Sequence, residues 1–217
     1  MQNLLNKLGM LKWLWITVVM FVLDQISKQW ADSVLQKYDP VALMSNLNLY
    51  LAYNEGAAFS FLSEAGGWQR WFFTIIAIVV SAFLIYWMKT LKSTERGNAI
   101  GLAFILSGAF GNVTDRILFG HVIDFIQFYY KADTASCLPG FSYYRLMQNG
   151  ECIWPSFNIA DSAISIGAAI LIWFSIKEVI QERRQNKLEQ AKSGSKPSEQ
   201  SKAGSKPSDS TQTGTGN

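Results

Sequence analysis

The chain is poor in the side chains that most hydrolases use. It holds one histidine, two cysteines and five prolines in 217 residues, and only 16% of its residues are charged. A single histidine, His121, excludes an HExxH zinc helix and any multi-histidine metal centre. It also leaves a Ser-His-Asp triad one possible base, and nothing like a nucleophile elbow accompanies it. The plainer reading of His121 is an interfacial side chain beside Gly120. With 49% apolar and 14% aromatic residues, the chain is too apolar for an ordinary soluble domain. Its net charge of +3 is small and segregated, so it points to orientation in a membrane and not to nucleic acid.

What is present in quantity is long apolar sequence. Four stretches, near residues 13–30, 71–88, 98–115 and 160–177, approach the roughly 20 residues that a membrane-crossing helix needs. Lys7 and Lys12 precede the first. Lys89, Lys92 and Arg96 join the second to the third, and Lys177, Arg183, Arg184 and Lys187 follow the fourth. By the positive-inside rule both termini face the cytoplasm, and residues 31–70 and 116–159 face outward. Trp30, Trp68 and Trp154 fit an outer aromatic belt, Trp13 and Trp87 an inner one. The first stretch is interrupted by Asp24 and is followed by no A-x-A-like site, so it reads as a retained span and not a removable leader.

Between the first two spans the pattern changes. Leu47, Leu49, Leu51 and Tyr53 alternate with Asn46, Asn48 and Tyr50, the period of a half-buried strand. Asn54-Glu55-Gly56 supplies turn chemistry, and residues 58–62 can return as a second strand. A small sheet of this kind, lying on the outer leaflet, would turn one apolar face to lipid. A plain amphipathic loop is the alternative. Cys137 and Cys152 both fall in the second outward loop, where an oxidising compartment permits a disulfide; two free surface thiols are equally compatible. After Arg184 the chain turns polar, and a Gly-Ser-Lys-Pro-Ser unit at 194–198 recurs at 204–208, a composition that predicts disorder.

Carboxylates are the remaining chemistry. Asp24-Gln25-Ile26-Ser27-Lys28 lies in the first span; Gly111-Asn112-Val113-Thr114-Asp115-Arg116 ends the third and leads to Val122-Ile123-Asp124-Phe125; Phe157-Asn158-Ile159-Ala160-Asp161 opens the fourth. A carboxylate beside an apolar span is costly unless it has a partner or a task. Asp24 and Lys28 are four apart, the favourable helical pairing, and read as an ion pair in the wall of a site. Ser27 and Lys28 are adjacent and point to different sides of a helix, which disfavours a Ser-Lys dyad. Asn158 and Asp161 have the spacing of a helix N-cap with a capping-box variant, so Asp161 has a structural reading beside a functional one. Asp115 and Arg116 suit a structural or substrate-orienting role. Asp124, inside the apolar run 122–128, has no ready surface partner and is the strongest functional candidate. Two aspartates held close cannot both ionise freely; one keeps a proton while the other activates water, which is sufficient for amide hydrolysis. Gly97 and Gly101 in the third span suit close helix packing, and Gly108 and Gly111 either packing or room for substrate.

These runs, in this order, resemble lipoprotein signal peptidase, the type II signal peptidase of bacteria, over residues 13–173. The resemblance implies four transmembrane helices with a small outward-facing sheet, in an all-α membrane protein. It implies an aspartyl endopeptidase that cleaves prolipoproteins on the N-terminal side of a diacylglyceryl-modified cysteine. It matches Asp124 and Asp161 to the catalytic pair. Asn54, Gly108, Asn112, Arg116, Asn158 and Ala160 match positions around substrate, and Asp24 and Lys28 the first motif. No cofactor and no metal are expected. The expected partners are lipid-modified prolipoprotein and membrane phospholipid, with the chain a monomer in the bacterial inner membrane and the site at the outer, periplasmic leaflet. Residues 1–184 form the expected peptidase domain and 185–217 a disordered cytoplasmic tail. The stretch 129–154, with Pro139, Gly140 and Gly150, is longer than the family leads one to expect; it is a lid or an insertion. Two rivals are a proton-coupled small transporter, which predicts acids near the midplane and repeated spans, and a non-enzymatic scaffold. Asp115, Asp124 and Asp161 all fall at outward ends of spans, and no span repeat is visible.

Overall fold

The computed structural model describes residues 9–56, 67–131, 137–140, 142–146 and 149–194. Four helices among them are long and apolar enough to cross a membrane. They are α1 (Leu14–Val34, entered through a 3-10 turn at Gly9–Trp13), α2 (Trp68–Thr90), α3 (Arg96–Leu118) and α4 (Ile159–Gly194). All four predicted spans lie within them.

The helices are arranged around α3, whose buried residues run from Asn98 to Asp115. Small side chains explain the close fit, since in lipid the drive for association is backbone approach and van der Waals packing. A Cβ on Gly97 would strike the ring of Phe174, and one on Gly101 would lie 3.0 Å from the carbonyl oxygen of Gly167 on α4. In α1, Thr17, Asp24, Lys28 and Ala31 recur at helical spacing and form the buried face, while Val18, Val22, Leu23 and Ile26 stay exposed. Exposed apolar residues on a spanning helix meet acyl chains. Around the start of α1, the end of α2 and the first half of α3, Met10, Ile16, Leu84, Met88, Ala99, Leu102, Ala103 and Leu106 form one apolar cluster.

Five antiparallel strands make a single sheet in the order β1-β2-β3-β5-β4: β1 (Val41–Met44), β2 (Leu47–Asn54), β3 (Val122–Lys131), β4 (Ser142–Leu146) and β5 (Asn149–Ile153). The strand read from the alternation of Leu47 to Tyr53 is β2. It pairs with β1 and with β3, in a register that sets Ala52 opposite Asp124 and Asn54 opposite Val122. The return strand expected at 58–62 lies outside the described residues. The described residues of the stretch 129–154 are largely strand. β3 continues to Lys131, and β4 and β5 form a hairpin whose strand β5 pairs with Tyr129–Lys131. Cys137 and Cys152 are joined by a disulfide that closes this insertion, with Cα atoms 5.6 Å apart.

The described residues up to Ser175 form one compact unit; Ile176–Gly194, the continuation of α4, belongs to a second. The helix therefore runs ten residues past Arg184, where disorder was expected. Glu182, Arg183, Arg184, Lys187 and Glu189 are good helix formers that need no buried face, and propensity prevails there over polarity. Residues 195–217, with most of the repeat, lie outside the described residues.

Candidate active site

The C-terminal ends of α1 and α3 and the first turn of α4 meet the start of β3, and the polar residues singled out in the sequence converge there. Lys28 on α1 is completely buried and pairs with two carboxylates, Asp24 at 2.8 Å and Asp115 at 2.9 Å. The first is the predicted i,i+4 pair; the second joins α1 to α3. Asp115 also accepts the backbone N–H of Ile123 at 3.3 Å, which ties the end of α3 to β3 one residue before Asp124. Gln25 completes this group, donating to Asp115 at 2.9 Å and Asp24 at 3.2 Å. Gln25 was not among the candidate residues, although an amide within an apolar span beside Asp24 was the available signal.

Two carboxylates stand in front of that group. Asp124 on β3 is buried, 3% exposed, and accepts hydrogen bonds from Asn158 Nδ2 at 2.7 Å and Asn54 Nδ2 at 3.2 Å. Asn54 ends β2, and its own oxygen accepts the backbone N–H of Gly56, so the turn fixes the donor's direction. Asp161 in the first turn of α4 accepts Asn112 Nδ2 at 2.8 Å and the backbone N–H of Asn158 at 3.2 Å. Asn158 returns the bond, its oxygen accepting the N–H of Asp161 at 2.9 Å. The capping box anticipated from the spacing is thus formed. Burial, and then the charge of nearby Asp161, push the Asp124 carboxyl up to about 7.

Arg116 lies over the ring of Phe73, its charge acting on Asp161, Asp124 and Asp115. Among the described residues its Nη1 reaches the carbonyl of Asn112 at 3.4 Å and its buried Nε has no partner. A half-buried guanidinium with unspent donors beside two carboxylates is ready for a carbonyl or carboxylate of a ligand. Gly108 and Ala160 act differently. A Cβ on Gly108 would strike the Ala160 carbonyl, so this glycine serves the close approach of α3 and α4, while Ala160 donates its N–H to Asp24 and ties α4 to α1. His121 stands apart, stacked on Tyr53 with centroids 4.1 Å apart, and partial burial lowers its pKa. Among the described residues no cluster of three or more His, Cys, Asp or Glu side chains is placed to hold a metal ion.

These features define a helical membrane protein that gathers carboxylates and amides, without histidine or cysteine, where its bundle meets a sheet. The family model described as signal peptidase (SPase) II matches residues 16–177, and the chain belongs to that family. It is 46% identical over 167 residues to the lipoprotein signal peptidase of Pseudomonas paraeruginosa, covering 76% of this chain and 88% of that protein. It is 42% identical over 195 residues to that of Alteromonas mediterranea, covering 90% and 96%. A solved bacterial membrane enzyme shares the fold with a TM-score of 0.60 and 27% identity, over 77% of this chain and 89% of its own.

Proposed function

We propose that Asp124 and Asp161 are the pair with which this member of the signal peptidase II family, an aspartic endopeptidase, removes the signal peptide from prolipoproteins. The observation that carries the assignment is Asn158, which hydrogen-bonds both carboxylates, one through its side chain and one through its backbone. Two acids held by one residue, one buried and one half-buried, lie close together, and of such a pair only one ionises readily.

The two environments divide the labour. Asp161 accepts a hydrogen bond on each oxygen, which suits a carboxylate that takes a proton from water. Asp124, pushed up to about 7, holds a proton to give. The water oxygen attacks the scissile carbonyl carbon while Asp161 takes one of its protons and Asp124 protonates the carbonyl oxygen. Collapse of the tetrahedral species passes the proton held by Asp161 to the amide nitrogen, returns one hydroxyl proton to Asp124 and breaks the C–N bond. The leader leaves with a new carboxylate, and the cysteine gains a free amine. Arg116, with its unspent donors, orients a carbonyl of the bound chain. Asp24, Lys28 and Asp115 hold the wall, and Asn54, Asn112 and Asn158 orient the two acids.

Substrate recognition follows from depth. A leader helix and a diacylglyceryl group anchor the scissile bond where the pair lies, so the cleaved bond is the one before the lipidated cysteine. The Lys/Arg bias places both termini in the cytoplasm and the pair at the outer leaflet of the inner membrane, and the disulfide agrees with an oxidising compartment. Reporter fusions after Lys92 should read cytoplasmic and those at Gly140 external; the reverse would overturn this topology. Residues 1–184 are the peptidase domain of a monomer among phospholipids, and the segment 185–217 is a dispensable tail; deletion of 195–217 should leave cleavage intact, and loss of cleavage would refute that.

The central test is cleavage by purified protein in lipid nanodiscs. A diacylglyceryl-modified prolipoprotein should lose its leader, while the unmodified precursor should stay intact. An intact leader on the modified substrate, or equal cleavage of both, would overturn the reading.

A further inference from the structure

Lys28 has three N–H donors and no acceptor, and all three donors are spent. Two go to Asp24 and Asp115, which keep the ammonium charged where water does not reach. The third goes to Asn112 Oδ1 at 3.0 Å. That bond has a consequence beyond packing. An asparagine amide fits the same volume in two orientations with oxygen and nitrogen exchanged, and its neighbours decide between them. Lys28 can only donate, so the side of Asn112 that faces it must be oxygen. Asn158 Nδ2 donates to the same oxygen at 3.3 Å and adds to the bias. The amide nitrogen is thereby turned to Asp161, which it reaches at 2.8 Å. In the flipped orientation an NH2 would face an ammonium and an oxygen would face a carboxylate, both repulsive.

We propose that Lys28 is a positioning residue for the reaction: by fixing the orientation of the Asn112 amide it holds Asp161 in place against Asp124. The frame behind Lys28 is itself tied down. Asp24 accepts the N–H of Ala160, and Asp115 accepts Gln25 and the N–H of Ile123, so the ammonium is fixed to the helix that carries Asp161 and to the strand that carries Asp124. An ion pair used only for packing would need no third bond to an amide that touches the pair. This inference rests on Asp124 and Asp161 being the catalytic pair.

Lys28→Met alone leaves two buried carboxylates facing each other and can fail to fold. Lys28→Met with Asp115→Asn keeps the cluster at one net negative charge, and it is compared with Asp115→Asn alone. The expected result is an unchanged KM and a kcat lower by about 10- to 100-fold, read well below the unfolding midpoint of both proteins because Asp24 loses its buried counter-charge. Asn112→Asp is the second variant. It keeps the size of the side chain and the oxygen that Lys28 holds, but it turns an oxygen toward Asp161; in the folded fraction kcat should fall with KM unchanged. A folded Lys28→Met/Asp115→Asn protein, or a folded Asn112→Asp protein, with kcat within threefold of its reference would overturn the positioning role. Failure of the catalytic assignment is separate, because Asp161→Asn protein would then still cleave.

Discussion

The carboxylate of Asp24 on α1 accepts the backbone N–H of Ala160 on α4 at 2.8 Å, across 136 positions of chain. The first N–H groups of a helix have no partner inside it, and here a neighbouring helix supplies one. The same carboxylate holds Lys28, so one residue caps the helix that carries Asp161 and anchors the buried ammonium. The contact needs α3 to be thin where it passes. A Cβ on Gly111 would strike Asp24 Oδ2 and stand 3.2 Å from the Cβ of Ala160.

Gly111→Ala should therefore act as an overpacking change, with a cost of about 1–3 kcal/mol. Because the atom struck is Asp24 Oδ2, which holds Lys28, on a carboxylate whose other oxygen accepts the N–H of Ala160, the loss should appear in cleavage as well as in thermal unfolding. Wild-type stability and rate in Gly111→Ala would show that the three helices do not need this close approach.

The disulfide lies at the far end of a hydrogen-bonded seam that leads to the same place. Cys152 faces Tyr130 and Ile153 faces Tyr129; the N–H of Trp154 donates to Phe128, and Phe157 exchanges backbone bonds with Ile126 just before Asn158. The bridge spans 15 residues, a loop for which chain entropy predicts about 3 kcal/mol. Cys137→Ser with Cys152→Ser should raise amide hydrogen exchange in β5 more than in the helices, and lower kcat/KM by less than tenfold. The seam from Trp154 to Asn158 remains in that variant. Unchanged exchange in β5 would mean that strand pairing alone holds the insertion.

How much of this was legible beforehand divides by the range of the interaction. Hydropathy placed the spans, and the alternation of Leu47 to Tyr53 placed β2, because both are periodicities within one element. The pairing of Asp24 with Lys28 and the capping box of Asn158 and Asp161 were readable for the same reason. The bond from Lys28 to Asp115, the seam of β3 with β5, and the approach of Gly108 to Ala160 were not, since each joins residues far apart in the chain. The β4–β5 pair carries no long alternation of its own; its five-residue strands are set by pairing with each other and with Tyr129–Lys131, which lie far off in the chain. Helix α4 outran its apolar segment because helix propensity continues where hydropathy ends.

Asp124 makes stability depend on pH. Its carboxyl is neutral in the folded protein up to about 7 but ionises near the ordinary value of 3.8 when unfolded. Between these values the folded state binds a proton that the unfolded state has lost. Its contribution is therefore fully present below about 4 and is lost as pH rises through about 7. The wild-type midpoint should fall over that window by more than the midpoint of Asp124→Asn, which has no carboxyl to ionise there. Cleavage should decline over the same alkaline limb, because the proton Asp124 gives is gone. Parallel pH profiles of stability for the two proteins would reject the elevated value.

The pair itself is tested by removing each carboxyl in turn. Asp124→Asn and Asp161→Asn keep size and an acceptor oxygen but remove the exchangeable carboxyl group. If one acid activates water while the other protonates the amide, either change should nearly abolish cleavage, and the double variant should be little worse than either single one. Substrate binding should persist, since leader and lipid contacts do not involve the carboxyls. Asp161 also accepts the N–H of Asn158 in the capping box, so its loss carries a structural cost of about 0.5–2 kcal/mol at most. An asparagine retains an acceptor there, and the thermal midpoint of Asp161→Asn separates the two effects. Inactive protein with a near-normal midpoint supports catalysis. Inactivity that tracks unfolding supports the cap alone. Asp115→Asn is the matched control: it is buried, it bonds Lys28, Gln25 and Ile123, and it should lose stability before it loses cleavage. Substantial leader removal by well-folded Asp124→Asn or Asp161→Asn protein would end the two-aspartate mechanism.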